Sequence, residues 1–282
     1  MVVRFQFFVA RTFHRSFLAA DKDILRFHRK AEAFSSFVNQ KSTEQNRATH
    51  PLADGAIYTL SLDAVALHRS ILWLCKGGWA FACPLLLRTQ MDILLNMTAI
   101  ISGQHPAEYM AFKYFYHSTK SLLNDSATPA EAKHRMEEEL RKGLGRFSDA
   151  LLRKKAEDFI YKEKMPAYWY SPEFGRPSDI IGKFGDADIS HIYRLYSGSS
   201  HGGYVGLRAL KDAPDHHNPD PRPDARGQNM AITGSNRLML EITKLRANFQ
   251  GQPIDMVYNS VLSEFKAVSE KVNPNREEFS EK

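Results

Sequence analysis

The segment Tyr193-Arg194-Leu195-Tyr196-Ser197-Gly198-Ser199-Ser200-His201-Gly202-Gly203 packs a guanidinium, an imidazole, three seryl hydroxyls and a glycine pair into eleven residues. Arg194 and His201 are seven positions apart. On a helix that is about 700° of rotation and roughly 10 Å of rise, so the two share a face and can meet one phosphate-sized ligand. Arginine suits the anion because its planar fork binds two oxygens and stays charged. Histidine suits proton transfer because its pKa lies near neutrality. Tyr193, Ser197 and Ser200 supply further donors beside the pair. The same residues also fit a helix end at which Ser and Gly permit close packing and His201 caps the C-terminus against the dipole.

A second candidate is Arg88 with Asp92, spaced i,i+4 in an otherwise apolar helix. A mutual salt bridge accounts for both. The functional alternative makes Asp92 a carboxylate that orients His201 or Arg194. His68-Arg69, on the preceding helix, is a candidate for the same place. His216-His217 sit in a Pro/Asp-rich stretch with no further ligand pattern, so no metal is expected there, and no cofactor is expected elsewhere. Phosphate-loop, dinucleotide-fold and serine-hydrolase motifs are absent from the sequence.

Arg194 to His201 matches R-x6-H, the long limit of the signature of the HEPN superfamily, which the chain resembles. It resembles more closely an uncharacterised bacterial domain-of-unknown-function family, through Leu87-Arg88-Thr89-Gln90-Met91-Asp92 and the Tyr193–His201 segment, over about residues 55–210. Leu195 stands where HEPN ribonucleases usually carry a polar residue, and Gly198 interrupts the run. The resemblance implies a helical bundle, often a homodimer. It also implies metal-independent RNA cleavage, with His201 handling the 2′-OH proton and Arg194 holding the phosphate. Such proteins commonly act as toxins or in phage defence, with an antitoxin or activator as partner; others are non-catalytic adaptors.

The elements that must position these residues read as helices throughout. Ile57, Leu60, Ala64, Leu67, Ile71 and Leu74 recur at steps of three and four, predicting a helix over 54–76 capped by Asp54 and ended by Gly77-Gly78. Helices over 79–102 and 106–124 follow. The stretch 51–130 holds only five Lys/Arg and five Asp/Glu, which makes these three helices the expected core. Thr128-Pro129-Ala130-Glu131 reads as a capping box opening a polar outer arm to Lys164, with 18 charged residues in 34 and Gly143 and Gly145 as breaks. A short helix is expected at 178–184, a motif helix from Asp186 or Asp188 towards His201, and two more helices at 229–249 and 253–272. No strand-length alternation occurs, so the fold class is all-α. The expected organisation is basic N-terminal helices over 1–50, a helical core over 51–210, a mobile loop over 211–227 and C-terminal helices with a polar tail over 228–282.

Composition limits the function classes. Of 282 residues 43% are hydrophobic and 25% charged, which suits a globular chain and neither a disordered one nor a membrane bundle. Nine Lys/Arg against four Asp/Glu in residues 1–50 account for +5 of the net +6, so charge alone is weak support for nucleic acid, even though RNA is the partner the resemblance implies. Arg4, Arg11 and Arg15 among five phenylalanines read as a basic amphipathic helix, or as residues upstream of the true start, rather than as a targeting segment. Two cysteines, Cys75 and Cys83, form no disulfide framework, so a reducing cytoplasm is expected, with no membrane partner.

Overall fold

A computed structural model describes residues 18–40, 50–102, 105–161, 168–170, 173–197 and 225–272. The described residues are all-α and contain no strand, as the periodicity requires. The helices are α1 (Lys22–Gln40), α2 (Pro51–Lys76), α3 (Cys83–Ser102), α4 (Ala107–Asn124), α5 (Ala130–Leu144), α6 (Ala150–Tyr161), α7 (Pro177–Phe184), α8 (Ala187–Ser197), α9 (Ala225–Phe249) and α10 (Asp255–Val272), with a 3₁₀ turn at Ala80–Ala82. The chain divides into two compact units: Met1–Lys41, Ser61–Leu94 and Asp186–Lys282 form the first, and Ser42–Leu60 and Leu95–Gly185 the second. The division falls inside α2 and α3.

In the first unit, α1 packs along α9, which also meets α8, α10 and the 3₁₀ turn. Ile24, Phe27, Ala31, Phe34 and Val38 recur at steps of three and four on α1 and are buried, with the Phe27 ring 5.5 Å from that of Phe265 on α10. Each large apolar side chain so buried contributes about 1.5–3 kcal/mol before the cost of ordering. The α2–α3 connection is a Schellman turn: Trp79 N–H donates to Leu74 O at 2.8 Å and Gly78 N–H to Cys75 O at 3.1 Å. Gly78 takes φ 79°, which a residue without Cβ adopts freely.

Helix α9 buries Gln228, Ser235, Asn236, Arg237 and Thr243 as well as its apolar residues. Two stacked imidazoles meet it. The His28 and His68 rings lie 3.5 Å apart and 15° from parallel, with His28 Nδ1 2.9 Å from Asn236 Oδ1 and His68 Nδ1 2.7 Å from Ser235 Oγ. His68 Nε2 is 3.2 Å from His28 O, and Ser235 Oγ is 3.0 Å from Gln90 Oε1. A buried polar group is tolerated when it is hydrogen-bonded, and this network bonds most of its members.

In the second unit, α4 packs on α5 and α6. The stretch expected as a polar outer arm with breaks at Gly143 and Gly145 is two helices, and both contribute to a core. Leu140, Leu144, Phe147, Ala156, Phe159 and Ile160 are buried, because a narrow apolar stripe suffices to seat a charged helix on a neighbour. The break falls where the glycines stand: α5 ends at Leu144, and Asp149 Oδ1 then accepts from Leu152 N–H at 2.8 Å to start α6. The expected capping box at Thr128 is not made. Pro129 is the N-cap residue, with no side-chain hydrogen bond. Nor is Asp54 the N-cap residue of α2, which starts three residues earlier at Pro51. Glu108 of α4 supplies that cap from a distance, its carboxylate accepting from Leu52 N–H at 3.0 Å and Ala53 N–H at 3.2 Å. Burial pushes the Glu108 pKa up to about 7 against the pull of those amides.

Two lysines of α4 are buried here, Lys113 and Lys120, and both set their ammonium over the Phe159 ring, at 5.5 Å and 4.5 Å. Lys113 pairs with Glu173 at 3.1 Å, while Lys120 donates to Phe159 O. Trp169 Nε1 donates to Asn96 Oδ1 at 2.8 Å and ties the 168–170 segment to α3.

Candidate functional site

Helix α8 carries the described half of the R-x6-H motif, and its placement is set at its first turn. Of the two residues expected to cap it, Asp186 does so, Oδ1 accepting from Ile189 N–H at 2.9 Å. The other Asp186 oxygen accepts from the Arg237 guanidinium, which is almost wholly buried on α9. Arg237 also meets Glu241 at 2.5 Å and Asp188 at 3.7 Å, and Tyr258 of α10 donates to the same Glu241. Burial works against the charge of Arg237, but Glu241, Tyr258 and Asp186 outweigh it and raise its pKa. The network clamps the start of α8 to α9 and α10.

Ile189, Ile192 and Tyr196 are the buried residues of α8 and fix its rotation. The Tyr196 ring lies between α3 and α9: a Cβ added to Gly234 would meet it at 3.7 Å and Leu87 at 3.4 Å. At 100° per residue Arg194 then points roughly opposite the buried face. It is exposed, and has neither ion pair nor hydrogen bond among the described residues. Tyr193 is half-buried under Arg88 of α3, whose guanidinium lies 5.5 Å from the ring centre. Arg88 at the same time forms an ion pair with Asp92. Burial pushes the Asp92 carboxyl pKa up, and Arg88 offsets part of that rise.

The structure therefore brings Arg88, Asp92 and Tyr193 together, and leaves Arg194 to solvent one position along the same helix. Ser197 ends α8 half-buried. Ser200, His201, His216 and His217 lie outside the described residues. His68 and Arg69 do not join this place. His68 occupies the buried face of α2 with Ala64 and Ile71, and Arg69 pairs with Glu32 of α1 at 2.6 Å. Sequence reasoning missed Arg237 and Glu241, the residues that fix the motif helix. The only signal for them was an i,i+4 charge pair in a helix of otherwise unremarkable polarity. Among the described residues no group of three or more His, Cys, Asp or Glu is placed to hold a metal ion, and no helix is long and apolar enough to cross a membrane.

Residues 54–218, more than half of the chain, match the model of one protein family, described as a family of unknown function (DUF5677). No curated protein and no solved structure matches. The matched span runs from the first turn of α2 past the end of α8, so it contains Arg88, Asp92, Tyr193, Arg194 and His201 alike. The chain belongs to this family of unknown function, DUF5677.

Proposed function

We propose that the protein is a metal-independent endoribonuclease of the toxin or phage-defence type, in which Arg194 and His201 act on one RNA phosphate and its neighbouring 2′-OH. The observation that supports the reading is Arg194 itself: an exposed guanidinium on a helix whose rotation and start are both locked, with no protein anion holding it among the described residues. Such a charge is free to take two oxygens of an oxyanion through its planar fork. His201 takes the 2′-OH proton, the 2′-oxygen attacks phosphorus, and the 5′-oxygen leaves with a proton. The products are a 2′,3′-cyclic phosphate and a 5′-hydroxyl. RNA suits a site without metal because it carries its own nucleophile. Proton transfer by His201 contributes about 10²–10⁴-fold, and Arg194 stabilises the charge that develops on the phosphate. Arg88, stacked on Tyr193, is a second guanidinium for the RNA backbone.

One observation favours a second reading, a non-catalytic helical binding or scaffold protein. The Arg88–Asp92 pair satisfies itself, so neither residue needs a catalytic partner to be explained. Expression in cells of the wild type beside His201→Ala and Arg194→Ala, followed by mapping of RNA ends, separates the two. Cleavage that depends on both residues, survives chelator and leaves cyclic phosphate is the expected result. Intact RNA with all three proteins favours the scaffold, and cleavage abolished by chelator overturns the mechanism.

A further inference from the structure

The chain's two cysteines lie outside that reading. Cys75 stands in the last turn of α2 and Cys83 is the first residue of α3. Both are reduced and fully buried, and the Schellman and 3₁₀ turns between them fold the chain back until their sulfurs touch, Sγ to Sγ 3.9 Å. Cys83 Sγ also lies 3.8 Å from Ile71 O, one helical turn before Cys75. The connecting turn turns its outer side chains to solvent: Trp79 and Phe81, with rings 5.5 Å apart, are the exposed residues of the segment. Both sulfurs are sealed from solvent, so an oxidant reaches them only through local opening of the fold.

We propose that Cys75 and Cys83 form a redox-responsive modification site, closing reversibly to an intrachain disulfide beneath the motif helix. The oxidant class is a small-molecule disulfide such as oxidised glutathione. One protein thiolate attacks a glutathione sulfur, forming a mixed disulfide and releasing one glutathione thiolate. The second protein thiolate attacks the protein sulfur of that mixed disulfide, forming the Cys75–Cys83 bond and releasing the second glutathione. Two protein thiols lose two electrons, oxidised glutathione gains them, and the two protein protons end on the two glutathione thiols. Contact between the sulfurs makes the second step intramolecular and keeps the bond within one chain.

Closure draws the sulfurs to about 2.0 Å. The Cys83 thiol stands near the Tyr196 hydroxyl, whose pKa burial raises first and Cys83 raises further. Tyr196 and Leu87 both pack beside Gly234 of α9, and Tyr196 lies between Arg194 and His201 in sequence. A close-packed interior passes such a displacement on to its neighbour. The site stands whether or not the protein cleaves RNA.

The test treats the full native chain with oxidised glutathione and follows intact mass, thiols titrated in denaturant and peptide maps. The expected result is loss of two hydrogens in mass, a fall from two thiols to none, a peptide joining Cys75 to Cys83, and recovery on adding dithiothreitol. Cys83→Ser should stop at a single glutathione adduct on Cys75. Hydrogen exchange in α8 should differ between the oxidised and reduced chain. If the native chain keeps both thiols while the unfolded chain cyclises, or if the oxidised product is a cross-linked dimer, the proposal is wrong. Identical exchange in α8 overturns its link to the motif helix.

Discussion

A single proton decides the state of the stacked histidines. Asn236 Oδ1 can only accept, so His28 Nδ1 carries the hydrogen and Nε2 keeps a lone pair that is buried with no hydrogen-bond partner. A second proton on His28 would find no acceptor and would put a positive charge against the face of the His68 ring. Burial holds the His28 pKa at about 4, outweighing the help of Asn236 and Glu32, while Lys76 and Arg29 lower it further. His68 is lowered too, by burial first and then by His28, with Arg69 adding to the effect. A lowered pKa means that the stabilisation is present above the ordinary value near 6.5 and is lost as pH falls towards 4. From His28 alone the expected loss between pH 7.5 and pH 5 is about 2 kcal/mol. Glu108 shifts the opposite way, its raised pKa adding stability as pH falls through 7, so the informative comparison is between chains. Urea midpoints at the two pH values should fall less in His28→Gln than in the wild type, and equal slopes would sink this account. Nothing in the sequence marks His28 as different from His50 or His117, because its partner Asn236 is 208 positions away.

At the scale of elements, the glycines of the second unit have opposite roles. A Cβ at Gly143 of α5 would fall 2.5–2.7 Å from the Tyr116 ring and hydroxyl of α4, closer than real contacts allow. That ring packs against Phe112, 4.7 Å away, so moving it clear gives up this contact. Overpacking costs about 1–3 kcal/mol and exceeds the gain of about 1 kcal/mol from replacing a helical glycine. Gly182 of α7 has open space around it. Thermal melts should therefore show Gly143→Ala destabilised and Gly182→Ala stabilised by up to about 1 kcal/mol. Gly143→Ala combined with Tyr116→Leu should recover much of its loss, and a Gly143→Ala chain as stable as the wild type would refute the close approach. The glycine break itself was legible in the sequence, and so were the starts of α7, α8 and α10 to within a few residues. Which glycine marks a contact was not legible, since Tyr116 lies 27 positions earlier on another helix.

For the whole molecule, the resemblance implies a homodimer with His201 near its twofold axis, and light scattering at micromolar concentration is expected to return twice the chain mass of 32.1 kDa. A monomer would remove the version of the proposed mechanism in which each protomer contributes one motif to a shared site. It would leave untouched an R-x6-H site completed within one chain. The all-α class and most helix positions follow from the sequence by itself, because apolar spacing at three and four residues, with Gly and Pro as punctuation, is a local signal. Local signals also offered Asp186 and Asp188 as alternative caps of the motif helix, and the structure uses Asp186. The tertiary structure alone decided which polar residues go inside. It buried His68 with Ser235, 167 positions away, and Ser235 with Gln90, 145 away, where the sequence allowed His68 a place beside the motif. It likewise put Arg237 at the centre of three carboxylates and brought the two cysteines into contact. The physical reason is that burying a polar group costs free energy unless a partner meets it. That partner comes from whichever helix packs alongside, and helix packing is a property of the folded chain.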